Sequence, residues 1–241
     1  MTPTFVALLT GACFVGATIS GLIGMAGGIF LLTVMLILGL PTSVAIPLHA
    51  AIQLASNSTR VIAYFEHVRW SALGPFVLIA LPLPLVGLHW VSVLDEQVTK
   101  AVIGGLVLVA AWAPKGGLAR LSERSAFGIA GAVAGTLGVV VGATGPIIAP
   151  FLLRNGWENE EVIATKATAQ AFIHLQKLIA FGAAGYALGD WVPSLPPLII
   201  AVVIGTFVGK WLLRFLTKEH FRLAYRGVLS VIAIRLIAEV F

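Results

Sequence analysis

Gly21-Leu22-Ile23-Gly24-Met25-Ala26-Gly27-Gly28-Ile29-Phe30 interrupts an apolar run that starts near residue 4 and ends near residue 40. An apolar helix needs about 20 residues to cross the hydrocarbon of a bilayer. Residues 4–23 are long enough; residues 29–40 are not. The four glycines between them end one helix and let the backbone turn into the next. The stretch therefore predicts a helical hairpin, re-entrant or spanning, that returns to its starting side. A second such construction lies downstream. Gly142-Ala143-Thr144-Gly145-Pro146 separates an apolar span at 125–141 from a short one at 146–154.

Outward from these breaks, the whole chain is apolar. Of its 241 residues 59% are hydrophobic and 10% charged, less than half the roughly 25% charged share of a soluble domain. The mean hydropathy is +1.02. Further spans are read at 44–65, 72–93, 98–113, 162–185, 195–215 and 221–240. With both hairpins returning to the side they left, the side opposite the N-terminus collects Arg60, Arg69, Lys115, Arg120, Arg124, Arg154, Lys166, Lys210, Arg214, Lys218, Arg222 and Arg226. That is 12 of the 15 basic residues; Lys100, Lys177 and Arg235 fall on the starting side. The positive-inside rule makes the basic side cytoplasmic and puts both termini outside. Trp70, Trp90, Trp112, Trp157, Trp191 and Trp211 all lie within a few residues of a span end, where aromatic belts form.

The two breaks belong to an internal repeat. Gly28, Gly39, Ile46, Ala50, Gln53 and Arg60 match Gly145, Gly156, Ile163, Ala167, Gln170 and Lys177 at a constant offset of 117 residues (28 to 145, 53 to 170, 60 to 177). Gly21 and Gly24 match Gly135 and Gly138 at 114. Each copy is one hairpin plus three crossings, and an odd number of crossings turns the second copy upside down. The expected fold is an all-α integral membrane protein of two inverted repeats, 1–113 and 125–241, joined by a cytoplasmic linker at 114–124. Inverted repeats with broken helices are a recurring design of secondary transporters.

Polar residues inside spans are costly and mark function. The span at 44–65 carries His49, Gln53, Asn57 and Arg60; the span at 162–185 carries Lys166, Gln170, His174 and Lys177. Both sets are spaced i, i+4, i+8, i+11, which at 3.6 residues per turn places each set within about 80° of one helix face. The two stripes are expected to run antiparallel and to face each other across a central path. They offer amide, imidazole and cationic groups, with no Asp or Glu in the inner turns. The short helices after each break would aim free N–H groups and the positive end of the helix dipole inward, which favours an anion. Pro146 suits a first helical turn, and Thr144 adds a hydroxyl. Together these features point to a negatively charged substrate.

The segment 21–30 resembles the first-repeat motif of the TauE/SafE sulfite exporter family, also called the 4-toluene sulfonate uptake permease family. Gly142-Ala143-Thr144-Gly145-Pro146-Ile147-Ile148-Ala149-Pro150-Phe151, followed by Ala164-Thr165-Lys166-Ala167-Thr168-Ala169-Gln170, resembles the second-repeat motif. The resemblance covers nearly the whole chain. One departure is Leu31-Leu32-Thr33-Val34-Met35, where the family places a proline after the glycines. The resemblance implies transport of sulfite or an organosulfonate. Such a head group has three acceptor oxygens, suited to amide, imidazole and backbone donors. A site is expected near the midplane, with Gly27, Gly28, Thr144 and Gly145 holding the anion together with Gln53, Asn57, Gln170 and His174. His49, Arg60, Lys166 and Lys177 would draw the anion in or gate it, Arg60 from the cytoplasmic side and Lys177 from the outer side. Location in a bacterial inner membrane and alternating access by rocking repeats follow from this reading. Export of a monoanion needs no coupling ion, whereas His49 and His174 offer a route to proton coupling.

Other classes fit less well. A passive anion channel or a sulfonate uptake permease would share the stripes. A metal-cation carrier would need carboxylates or clustered histidines in the spans. Cys13 is the only cysteine, so no intrachain disulfide or CxxC pair forms. No HExxH motif, supported GxSxG elbow or nucleotide loop appears, and no enzyme, cofactor or metal is expected. The basic residues are scattered over loops rather than gathered in a nucleic-acid patch. MTPTFVALLT lacks the basic n-region of a signal peptide and is read as part of the mature chain. The expected partners are a small anion and the bilayer; the oligomeric state, homodimer included, is left open.

Overall fold

Helix α1 (Pro3–Ile23) starts where the Thr2 hydroxyl accepts the amide of Phe5 and Pro3 fills the first turn. It stops at Gly24, whose φ of 71° is comfortable only for glycine, and the Gly24 N–H closes onto the Ser20 carbonyl. Helix α2 (Gly27–Ile37) begins two residues earlier than the apolar pattern suggested, so Gly27 and Gly28 form its first turn. Ala26, just before it, has a φ of 80°. In the computed structural model the described residues are 2–24, 26–84, 121–141, 144–152, 157–186 and 189–215, with single positions between 87 and 105 and between 230 and 238. The expected spans 98–113 and 221–240, most of the linker, and Trp90 and Trp112 lie outside these described stretches.

Helix α3 (Thr42–Ala63) follows the turn at Gly39 and carries the first polar stripe. Helix α4 (Trp70–Ala80) is interrupted at Leu81 and Pro82, inside the span read at 72–93, and the described residues Leu83 and Pro84 are helical again. The cause is Pro82 and Pro84, which lack the N–H groups that Leu78 and Ala80 would need as partners four residues on. The Gln176 amide, from another helix, donates instead to the carbonyls of Ala80 (3.4 Å) and Leu81 (2.9 Å). Helix α5 (Glu123–Val141) begins inside the last residues assigned to the linker. Helix α6 (Gly145–Leu152) follows the second break, whose residues 142–143 are outside the described set. Helix α7 (Asn159–Ala183) opens with a reciprocal capping box between Glu158 and Glu161 and carries the second stripe. Helix α8 (Leu195–Leu212) starts with Pro196 and Pro197 in its first turn.

Helices α3 and α7 cross the centre side by side and antiparallel. His49 meets His174 in mid-helix, while Arg69, just past the end of α3, meets Glu161 at the start of α7. Around them run two seams of small residues. Along α1 and α8, Gly21 lies against the Thr206 backbone, Gly205 against Phe14 and Ala17, and Gly209 against Thr18 and Gly21. Along α4 and α5, Gly131 lies against Phe76 and Gly135 against Ala80. A side chain at these glycines would strike backbone, so they set the close approach of each helix pair. The helix contacts map onto themselves when α1, α2, α3 and α4 are exchanged for α5, α6, α7 and α8.

The distribution of polarity is the reverse of that in a soluble protein. Arg60, Lys166 and Lys177 are 2%, 1% and 0% exposed, whereas Leu78 and Ile62 are 76% and 74% exposed. Water would drive these groups the other way; lipid permits the arrangement, provided the charged groups face inward. Among the described residues, α1 and the segment Trp191–Phe215 are long and apolar enough to cross a membrane by composition alone. Helices α3 and α7 are long enough too, but they spend their inner faces on polar side chains.

Candidate functional site

The two hairpin tips and the two stripes close on one cavity. Ser20 and Ala26 come from the first hairpin, and Gly28 and Ile29 from the first turn of α2. His49, Gln53 and Arg60 come from α3, Thr144 and Gly145 from the second break, and Lys166, Gln170 and His174 from α7. The cavity has an empty volume of about 280 Å³, its opening included. The arrangement is duplicated. The Gln53 amide stands over Gly28, where a Cβ would come within 3.2 Å of its nitrogen; the Gln170 amide stands over Gly145, where a Cβ would come within 3.4 Å. Glycine is needed at both points because the backbone, the amide and a ligand share the same small space. Gln170 also donates to the Thr144 hydroxyl at 3.4 Å. Both short helices thus place their starts at the cavity beside a glutamine.

Nine of the twelve residues singled out in the sequence line this space: Gly28, His49, Gln53, Arg60, Thr144, Gly145, Lys166, Gln170 and His174. Three do not. Gly27 packs against Gly16 and the Ser20 hydroxyl, which makes it a contact between the hairpin arms rather than a floor for ligand. Asn57 donates to the Gln53 carbonyl at 2.8 Å and accepts from the Arg60 guanidinium, so it holds the arginine from behind. Lys177 is fully buried beside Gly138 but is not part of the lining. Arg60 and Lys166 differ from expectation in position. Neither stands at a membrane surface: both are buried at the cavity, and the Lys166 ammonium donates to the Gly24 carbonyl at 2.6 Å. Helix α7 begins three residues before the apolar run does, which draws Lys166 inward, and the hairpin tip then covers it.

Sequence reasoning missed Ser20, Ala26 and Ile29. Ser20 had a signal, a hydroxyl one turn before the break in an apolar helix; Ala26 and Ile29 had none.

Among the described residues, the lining contains Arg60 and Lys166 and no carboxylate. Burying cations without a counter-charge is expensive, so an anion seated here would recover much of the cost. His49 donates from Nε2 to the Gly28 carbonyl at 2.7 Å, an acceptor that takes a proton and returns none. The His49 and His174 rings meet edge to face with centroids 5.7 Å apart, and the Nδ1 atom of each is buried without a hydrogen-bond partner. Among the described residues there is no group of three His, Cys, Asp or Glu that could hold a metal.

Outside the cavity, at the membrane edge, Arg69 forms a two-pronged pair with Glu161 at 2.8 and 3.1 Å and lies over the Trp157 ring. The Arg69 hydrogen bond holds the Glu161 carboxyl below its ordinary range, and the same bond raises the guanidinium.

A family model described as Sulfite exporter TauE/SafE matches residues 8–236, nearly the whole chain. The chain belongs to the TauE/SafE family. Members of the TauE/SafE family are integral membrane transporters, which accounts for the buried cations and the lipid-suited exterior. No curated protein and no solved structure matches the chain.

Proposed function

We propose that this TauE/SafE protein is a secondary transporter that exports a small sulfur-containing anion, sulfite or a short organosulfonate, from the cytoplasm across a bacterial inner membrane. The observation that carries the proposal is the cavity itself: two helix starts, two glutamines and two buried cations converge on it, with no carboxylate in its lining. Backbone N–H groups of α2 and α6 and the amides of Gln53 and Gln170 would hold the anion's oxygens, with Arg60 and Lys166 supplying charge. Asn57 acts behind Arg60 as a positioning residue.

The exchange symmetry of the helix contacts supports two inverted repeats, 1–113 and 125–241, that rock about this site for alternating access. Both termini would be periplasmic. An inside-negative potential drives outward whatever net negative charge crosses, with about 2.3 kcal/mol per charge per 100 mV.

Binding of sulfite, methanesulfonate, sulfate and chloride to the purified protein tests the proposal. Saturable binding of sulfite or the sulfonate, weakened about tenfold or more in Gln170→Ala and His174→Ala, is the expected result. Equal weak responses to all four anions, unchanged in both variants, would move a passive channel ahead of it.

A further inference from the structure

From the His49–His174 contact we infer that the site takes up a proton along with its anion and that this imidazole pair receives it. The inference rests on the anion reading above and adds a second ligand to the same site.

The argument starts from His49. Its Nε2 faces the Gly28 carbonyl at 2.7 Å and must carry a hydrogen, because a carbonyl oxygen only accepts. In the neutral ring the other nitrogen, Nδ1, is then a bare lone pair. It is buried, it has no partner, and its residue lines the cavity. A lone pair beside an anion repels it. A protonated Nδ1 would instead donate a charge-assisted hydrogen bond. His174 stands across the contact, 1% exposed, and its own Nδ1 is buried without a partner.

The surroundings decide when a proton can be held. Arg60 lies on the same helix as His49, and α7 brings Lys166 and Lys177. Helices α2, α4 and α6 bring no ionisable group, α1 brings the buried Cys13 thiol, α5 brings Glu123 and Arg124 in its first turn, and α8 brings Lys210, at its end next to Ala63. On α7 the acids are Glu160 and Glu161 in its first turn, at the membrane edge. The field at the pair is thus one of positive charge, which opposes protonation while the cavity holds no anion. An anion in the cavity reverses that field. Proton and anion each favour the other's binding, and the coupling is reciprocal.

Calorimetry of sulfite binding to the full-length protein, at about pH 8 in two buffers of different ionisation enthalpy, counts the protons. The expected result is uptake of about one proton per anion, beyond what sulfite's own titration supplies, and its loss in the H49Q/H174Q double variant. Glutamine retains a donor for the Gly28 carbonyl and cannot titrate, so the hairpin contact survives the change. Single H49Q and H174Q variants, each binding sulfite without the proton, would give the same support should the double variant fail to fold. Sulfite binding with no proton uptake in the unmodified protein would overturn the inference and leave the anion site standing. Uptake that persists without the histidines would also overturn it, and its loss in Lys177→Met would assign the proton to that lysine. Absence of sulfite binding altogether would remove the anion reading on which the inference depends.

Discussion

Ala26 is the described non-glycine residue with positive φ, 80° with ψ −35°, and it sits in the cavity wall at the start of α2. A side chain in that region costs on the order of 1 kcal/mol, and such strain persists where surrounding contacts enforce it. Ala26→Gly is therefore expected to raise the thermal midpoint of the detergent-solubilised protein by a few degrees; an unchanged or lowered midpoint would show that the residue is not strained. Residues of this kind were the least legible in the sequence, because alanine in an apolar segment carries no mark of its backbone angle. Gln53 and Gln170 were legible for the opposite reason: an amide deep in a span must find a polar neighbour. Gly27 and Gly28 look alike in the sequence. One faces the other hairpin arm and the other faces the cavity, a difference of helix rotation that adjacent identical residues cannot reveal.

Among the elements, α3 and α7 were the most readable, since spacings of four, four and three residues put a polar stripe on one face whatever the tertiary fold. The break after α4 at Leu81 and Pro82 is absent from the span read at 72–93, although the signal is present: Pro82 and Pro84 remove two helix donors, and apolar composition masks them. Lys166 was misjudged from its distance to the start of an apolar run, while the helix starts earlier under a polar capping box. The seam between α1 and α8 depends on its glycines, and Gly209 meets Thr18, Gly21 and Leu22. Gly209→Val forces these helices apart and is expected to destabilise the protein by about 1–3 kcal/mol. Gly74, which has open space beside it, gives the comparison: Gly74→Ala should leave the midpoint unchanged or raise it. Thermal melts of the two variants check the contrast, and an equal loss in both would show that the seam contributes nothing special.

At the scale of the molecule, two sets of contacts mark opposite ends. Phe5 meets Trp191 edge to face at one, while Tyr64, Lys210 and Arg214 gather at the other. With the termini periplasmic, a cysteine at Val192 is expected to react with a membrane-impermeant maleimide in intact cells, and one at Phe65 only after permeabilisation. Both positions are exposed, whereas the native Cys13 is buried and stays silent. The reverse pattern would invert the orientation, and labelling of both in intact cells would break the assignment of ends. The repeat was visible in the sequence as a fixed offset, but how the halves interlock was not, because no local pattern records which distant helix a glycine face will meet. That interlocking bears on biosynthesis. Gly21 leaves the ribosome long before its counterpart Thr206, which lies 185 residues further along the chain. Until then, among the described helices, α1 has chiefly α2 and α3 to lean on. The glycine face of α1 therefore stays bare in the bilayer until α8 arrives. Completion of α8 is the step that closes it.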